Sequence, residues 1–431
     1  MKEKMTFCAV GDCFVTRRLP DRDKSFLKVR NIINMAQARI MNLETVIQDR
    51  INAPGAFSGG TWAYTSSGTI ADMMDYGFNM ANIANNHTLD YLYGGLEDTM
   101  YNLDKYSMPY AGAGRNLSEA SRPVFLDCPG GRTALICATS SFHESWIAGN
   151  TRKDMPGRPG VNPLREVMTY YLNDEEIKFL KDIAEKTGIN AYDDLIRKEG
   201  FLPELKDDTF LLGKYKFVKG DGPRAKSEPD ENDMKRIIKS IERASYQADH
   251  VIVSIHSHQM GEDKDKPADF FDKAACRFID SGACAVIGHG PHVLRGIRIY
   301  KGCPIFYSLG NFIFQSESIE RLPSDFYEKY GLGPDDDVND ALSKRSGNGK
   351  KGLTVNSKVY RSIIPIWTMK NGKLTDIKLF PIELGFGLPG HRSGWPEISQ
   401  DINILKELQG LSEVFSTKID IVNGIGKIVL E

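Results

Sequence analysis

Asp12, Asn42 with Glu44, Asn86 with His87, His256, and the pair His289 and His292 each stand at the end of a short apolar run. Carboxylate, amide and imidazole groups in that mixture suit hard or borderline divalent ions such as Mn²⁺, Zn²⁺ or Fe²⁺. Each piece alone has a plainer reading. Gly11-Asp12 is also a turn with a capping carboxylate, Asn42-Leu43-Glu44 says little by itself, and Gly288-His289-Gly290-Pro291-His292 is also a glycine turn. Asn85-Asn86-His87 is more pointed, because two amides and an imidazole at the end of a buried strand need partners or a ligand. Recurrence carries the argument: separate strand ends collect such a set when they converge on one site. Of His256 and His258, one is expected to bind metal and the other to face solvent or support the ligands. His143, His250 and His391 have no partners by sequence and read as structural or solvated.

The chemistry such a set performs is hydrolysis at a pair of divalent ions, which in two-metal sites lie ~3.5–4 Å apart and activate a bridging water. Asp12 or Glu44 would bridge the ions, and Asn86, His256, His289 and His292 would complete their shells. His87, next to a ligand but pointing elsewhere, is the candidate general acid.

Strands must deliver these groups. Met5 to Val10, Arg39 to Leu43 and Phe78 to Ala84 read as buried strands with polar C-terminal ends. A helix follows from Tyr91 to Tyr106, with Leu92, Leu96, Met100 and Leu103 on one stripe, and strands resume at Pro123 to Cys128 and Thr133 to Thr139. Residues 146–230 break this βαβ-like rhythm and read as an insertion, containing a helix opened by Asn173 with Glu176 three residues on. The rhythm returns with helices at Asn232 to Tyr246 and Phe270 to Ile279, and strands at His250 to Ile255, Ala283 to Ile287, Gly296 to Tyr300 and Ile305 to Leu309. Crevices at the carboxyl ends of such strands are where α/β sheets hold ligands. Residues 316–350 are polar and turn-rich and are expected to form a mobile loop. Residues 351–431 hold two hairpins, turning at Asn371-Gly372 and Asn423-Gly424, with a helix from Ile402 to Phe415 between them, and are expected to complete the domain.

Composition narrows the function classes. The chain has 431 residues, 41% hydrophobic and 26% charged, an ordinary globular balance. A formal charge of −2 supplies no basic field for nucleic acid. The apolar stretch Met5 to Val10 is too short for a signal peptide, and no run approaches the ~18 apolar residues of a membrane span. Seven scattered cysteines without a CxxC pair fit a reducing compartment, so a cytoplasmic location is expected.

Taken in order, Gly11-Asp12, Asn42-Leu43-Glu44, Ala84-Asn85-Asn86-His87 with Asp90, Val253-Ser254-Ile255-His256, Ile287 to Val293 and Tyr307-Ser308-Leu309-Gly310-Asn311-Phe312 resemble the CapA family of poly-γ-glutamate capsule-synthesis proteins. That family looks like a branch of the calcineurin-like metallophosphoesterases, and the resemblance spans about residues 5–315. It implies a four-layer α/β/β/α sandwich with a dimetal site at the strand ends. Two departures stand out: Asp12 is followed by Cys13-Phe14 rather than by an x-His, and Glu44 stands where an Asp is usual. Asn42, Asp90, His258 and Asn311 are expected to contact substrate or support the ligands, while Ser308, inside an apolar strand, reads as packing. The function implied is a metal-dependent hydrolase acting on a phosphoester or an amide of a small-molecule or polyglutamate-like substrate. The alternative is a non-catalytic accessory or binding protein of poly-γ-glutamate synthesis. No protein partner can be named.

Overall fold

The computed structural model describes residues 4–20, 22–206 and 208–430. Two large sheets form its centre. The first is ten-stranded and runs Ile419–Val422, Ile425–Ile428, Lys373–Glu383, Arg361–Lys370, Met5–Phe14, Ala38–Leu43, Met80–Asn82 and Tyr110–Ala111, with Asn311–Phe314 and Glu397–Ile398 added off that path. The second is six-stranded and runs Ile297–Tyr300, Cys303–Phe306, Ala285–His289, His250–His256, Gly131–Thr139 and Val124–Cys128.

Side-chain alternation along the strands builds the layers. Phe7 and Ala9 of the first strand point between the sheets, where they pack with Leu135, Ile252, Ile287 and Trp367. Cys8 and Val10 point the other way, onto the helices Lys24–Ile33, Gly68–Tyr76 and Leu92–Lys105 through Phe26, Met73 and Leu96. On the far side, Ile136, Val251, Val253 and Val286 meet the helices Glu231–Ser245 and Asp269–Asp280 through Ile237, Ile241, Phe271 and Phe278. Helix, sheet, sheet, helix is the four-layer α/β/β/α order implied by the resemblance.

Three regions refine the sequence reading. Within 146–230 lies a separate four-stranded sheet of Thr209–Leu212, Tyr215–Lys219, Glu166–Leu172 and Arg224–Pro229, with the helices Asp174–Thr187 and Ala191–Lys198. The first of these helices opens on the expected capping box between Asn173 and Glu176. Ile305 to Leu309, expected as one strand, is instead a crossing. The strand ends at Phe306 in the second sheet, and the chain re-enters the first sheet at Asn311–Phe314, beside the last residues of the first strand. Residues 316–350, expected as a loop, carry the helices Ser324–Lys329 and Val338–Ser346. Their polar composition hides two anchors: a capping box between Asp337 and Asp340, and a small apolar cluster in which Phe326 and Ala341 pack with Val46, Trp62 and Tyr91. The C-terminal hairpins join the first sheet, with Arg361–Lys370 antiparallel to the N-terminal half of the first strand. Among the described residues no helix is long and apolar enough to cross a membrane.

Candidate metal centre

Register brings the polar residues into two facing rows. Across the first sheet Asp12 lies beside both Asn42 and Asn311, and Asn42 beside Asn82. Across the second, His256 lies between Thr139 and His289. Alternation places Ser254, His256 and His289 on the same face as Ile252 and Ile287, the face turned to the first sheet. Two hydrogen-bonding contacts bridge the sheets: Asn82 Nδ2 donates to Ser254 Oγ at 3.1 Å, and Asn42 Nδ2 lies 3.2 Å from His256 Nδ1.

Asp12 and Glu44 occupy the middle, both fully buried. Asp12 accepts hydrogen bonds from Asn42 Nδ2 at 2.7 Å and from the Gly290 backbone N–H at 3.0 Å. Three imidazole nitrogens surround it, with His256 Nδ1 and His289 Nδ1 each at 3.8 Å and His292 Nδ1 at 3.4 Å. Glu44 Oε1 has His256 Nε2 at 3.6 Å and His292 Nε2 at 3.9 Å. These separations exceed a hydrogen bond, yet two ligands at ~2.1 Å from one tetrahedral ion stand about 3.4 Å apart. Asp12, Glu44 and His256 form one candidate metal triad, and Glu44, His258 and His292 a second that shares its glutamate.

Three of the histidines have one ring nitrogen engaged and the other turned to a carboxylate. His289 Nε2 pairs with Ser254 Oγ at 3.0 Å, His292 Nδ1 with Asn311 Oδ1 at 2.8 Å, and His256 Nδ1 with Asn42. Such support orients imidazole ligands at metal sites. His258 packs its ring against those of His256 and His292, at 5.0 and 5.4 Å between centroids. The Gly290-Pro291-His292 turn needs its glycine, because Gly290 has φ +114° and a Cβ there would lie 2.9 Å from the Ser257 backbone. His292 itself sits at φ +58°, an unusual backbone for a non-glycine residue.

Electrostatics follow from burial. Burial opposes the Asp12 carboxylate, but the imidazoles gathered around it, His292 first and then His256 and His289, hold it below the usual carboxylate range. Burial, then the charges of Asp12 and Asp90, push Glu44 well above that range. Burial lowers His256 strongly and takes His289 down to about 4, each against the pull of Asp12. The orphaned atoms are telling. Both Glu44 oxygens, His256 Nε2, His258 Nε2, His289 Nδ1 and Asn86 Oδ1 are buried without a hydrogen-bond partner. Each such atom ordinarily costs ~1–3 kcal/mol, and all are metal-ligating types. The donor set therefore fits divalent cations.

Beside this cluster stands His87, whose Nδ1 lies 2.7 Å from Asp90 Oδ2. Asp90 also accepts the backbone N–H groups of Gly59 and Ala63, each at 2.9 Å, so one carboxylate ties the imidazole to the 59–63 loop. His87 Cε1 and Nε2 approach Gly59 so closely that a Cβ there would lie 2.7 Å from both. Asn86 Nδ2 donates to Gly59 O at 2.8 Å, leaving its carbonyl free. Asn311 is fully buried and spends its amide on Val359 O and His292, so it supports a histidine. His87 and His292 line a cavity of about 250 Å³ with Phe14, Gly59, Thr61, Arg345 and Lys351.

Ser254, Asn82, Arg345 and Lys351 join the site without a motif in the sequence to mark them. Ser254 was findable, two residues before His256 on the same strand face. The two cations were not, since they arrive from about 260 residues away.

Comparison with known proteins adds the family. Residues 6–316 match the bacterial capsule synthesis protein family PGA_cap. The Sinorhizobium fredii protein y4sH is 31% identical over 440 residues, covering 99% of this chain and 93% of its own length. The capsule biosynthesis protein CapA of Bacillus anthracis is 26% identical, covering 72% of this chain and 60% of its own. The PGA biosynthesis protein CapA of Bacillus subtilis is 27% identical, covering 58% and 46%. With its four layers, its facing rows of ligand-type side chains and a match over most of its length, the chain belongs to the bacterial capsule synthesis protein family PGA_cap.

Proposed function

We propose that this protein is a metal-dependent hydrolase of capsule or poly-γ-glutamate metabolism, acting in the cytoplasm on a phosphoester or an amide of a polyglutamate-like substrate. The observation that supports it best is the convergence of buried, partnerless ligand atoms on Glu44 and its histidines. Asp12, Glu44, Asn86, His256, His289 and His292 would hold two ions of Mn²⁺, Zn²⁺ or Fe²⁺ type, with His258 adjoining. Bound ions would polarise a substrate oxygen and lower the pKa of a water.

The chain's own residues do the rest. Asp90 fixes the His87 ring through Nδ1, so Nε2 is the atom that hands a proton to the leaving group. Asn42 holds Asp12, while Ser254 and Asn311 hold His289 and His292. Phe14 meets His87 edge-on and Phe314 lies tilted against His292, with centroids 4.9 and 5.7 Å away, so apolar rings border both imidazoles.

Metal analysis by mass spectrometry of protein produced with Mn²⁺ and Zn²⁺ available tests this reading, together with assays on nitrophenyl phosphomonoester, phosphodiester and γ-glutamyl anilide substrates. His256→Ala and Asn86→Ala should each lower the bound metal. Unchanged stoichiometry in both variants would rule out the ligand assignment. Absence of metal and of turnover in the wild type would remove the hydrolase and leave the non-catalytic accessory role.

A further inference from the structure

The cavity above the metal centre is lined by two cations that the hydrolytic chemistry does not use. Arg345 lies in the last turn of the helix Val338–Ser346, and Lys351 follows five residues after that helix. Both line the cavity that His87 and His292 also line, and no Asp or Glu does. Arg345 is partly buried. Its guanidinium donates to Thr61 Oγ1 and lies over the Phe326 ring, 5.7 Å from the centroid. Among the described residues, neither Arg345 nor Lys351 forms an ion pair with a carboxylate.

A partly buried guanidinium without a counter-charge gives up part of its hydration, a loss that a bound anion would offset. A guanidinium also presents paired donors that match a carboxylate or a phosphate, while an ammonium adds a mobile point charge. Thr61 couples the two halves of the cavity. It takes the Arg345 bond and belongs to the 59–63 loop that Asp90 fastens to His87.

We propose that Arg345 and Lys351 form an oxyanion-binding subsite that holds a carboxylate or phosphate of the substrate beside His87, so that the protein selects anionic substrates. The substrate class rests on the hydrolase reading, whereas the subsite itself does not need turnover. A cavity of about 250 Å³ accommodates one compact anionic unit.

The test is isothermal titration calorimetry of the full-length protein, as purified, with γ-glutamyl tripeptide, its fully amidated analogue and inorganic phosphate. Arg345→Gln should weaken tripeptide or phosphate binding by about tenfold or more and leave the amidated analogue unaffected. Lys351→Gln, at an exposed position, should weaken the same binding by about threefold and keeps the test open should Arg345→Gln fail to fold. Dependence on Arg345 for the tripeptide alone assigns a glutamyl chain; dependence for phosphate alone assigns a phosphoester. Binding of neither oxyanion by wild type, equal binding by the variants, or equal loss for the amidated analogue would overturn the subsite. Arg345-dependent binding in protein without metal or turnover would keep the subsite and remove the hydrolase. Turnover with an unchanged KM in Arg345→Gln would do the reverse.

Discussion

His87 and Asn86 are neighbours in sequence, yet their surroundings separate their parts. His87 is held through Nδ1 by Asp90 and lines the cavity, while Asn86 leaves a buried carbonyl oxygen unpartnered. His87→Asn should therefore keep metal content near wild type while lowering turnover ~10²–10⁴-fold, the range of a lost general acid. The loss should shrink for substrates with good leaving groups, which need little protonation. Steady-state rates on a series of aryl esters of graded leaving-group pKa check this. Equal loss across the series, or loss of metal, would make His87 a ligand or a structural residue. The residue types and their order are legible without coordinates, because the proposed metal site draws on few kinds of side chain. Which nitrogen of each histidine is free could not, since Ser254, Asn42 and Asn311 decide that from other strands.

The insertion is attached to the sandwich through Asp233 of the helix Glu231–Ser245. Arg165 donates to it from Nε and Nη2, both at 2.8 Å, and from its backbone N–H at 2.9 Å, and Arg236 Nη1 donates at 2.6 Å. Burial opposes the Asp233 carboxylate, but the two arginines hold it below its ordinary value. A depressed folded pKa means that the stabilisation is fully present above the unfolded value of ~3.9 and is lost as pH falls through the folded pKa. Asp233→Asn should thus cost about 2 kcal/mol at pH 7, the scale of hydrogen bonds to a charged group and below that of a fully buried pair, because Arg165 is half exposed. Urea melts of wild type and variant should converge on acidification below about pH 4. A gap that stays constant at low pH would deny the charge pairing its role. At this scale the strands and helices were largely legible, because period-2 and period-3.6 apolar patterns survive in a single sequence. The two helices of 316–350 were not, because their apolar partners Val46, Trp62 and Tyr91 lie in the N-terminal part of the chain.

The two sheets are joined by apolar packing as well as by the polar rows. Trp367 lies fully buried between them, stacked on Phe7 at 5.3 Å and tilted against Phe306 at 5.4 Å. Trp367→Ala should destabilise the whole molecule by about 3–5 kcal/mol, the usual loss for an aromatic truncation in a core. Trp367→Phe should cost clearly less, since Trp367 Nε1 is itself a buried donor without a partner and the ring volume is mostly kept. Equilibrium unfolding followed by circular dichroism distinguishes the two, and equal losses would contradict a packing role. Because the proposed metal centre draws on both facing rows and so needs the sheets at a fixed separation, the same reading expects Trp367→Ala to lower the bound metal as well.

The sequence by itself determined the chemical inventory and most elements: which side chains are of cation-binding type, that they stand at strand ends, and the continuous apolar runs that mark the central strands. Those properties are local, set by residue type and by the spacing of neighbours along the chain. Tertiary structure alone decided that Asn311–Phe314 leaves the second sheet to lie beside Asp12, and that His256 faces Asn42 across the interlayer. It alone brought Arg345 over the cavity. Each of these depends on contacts between segments tens to hundreds of residues apart, and such pairings are selected by the packing of whole layers, which no window of sequence contains.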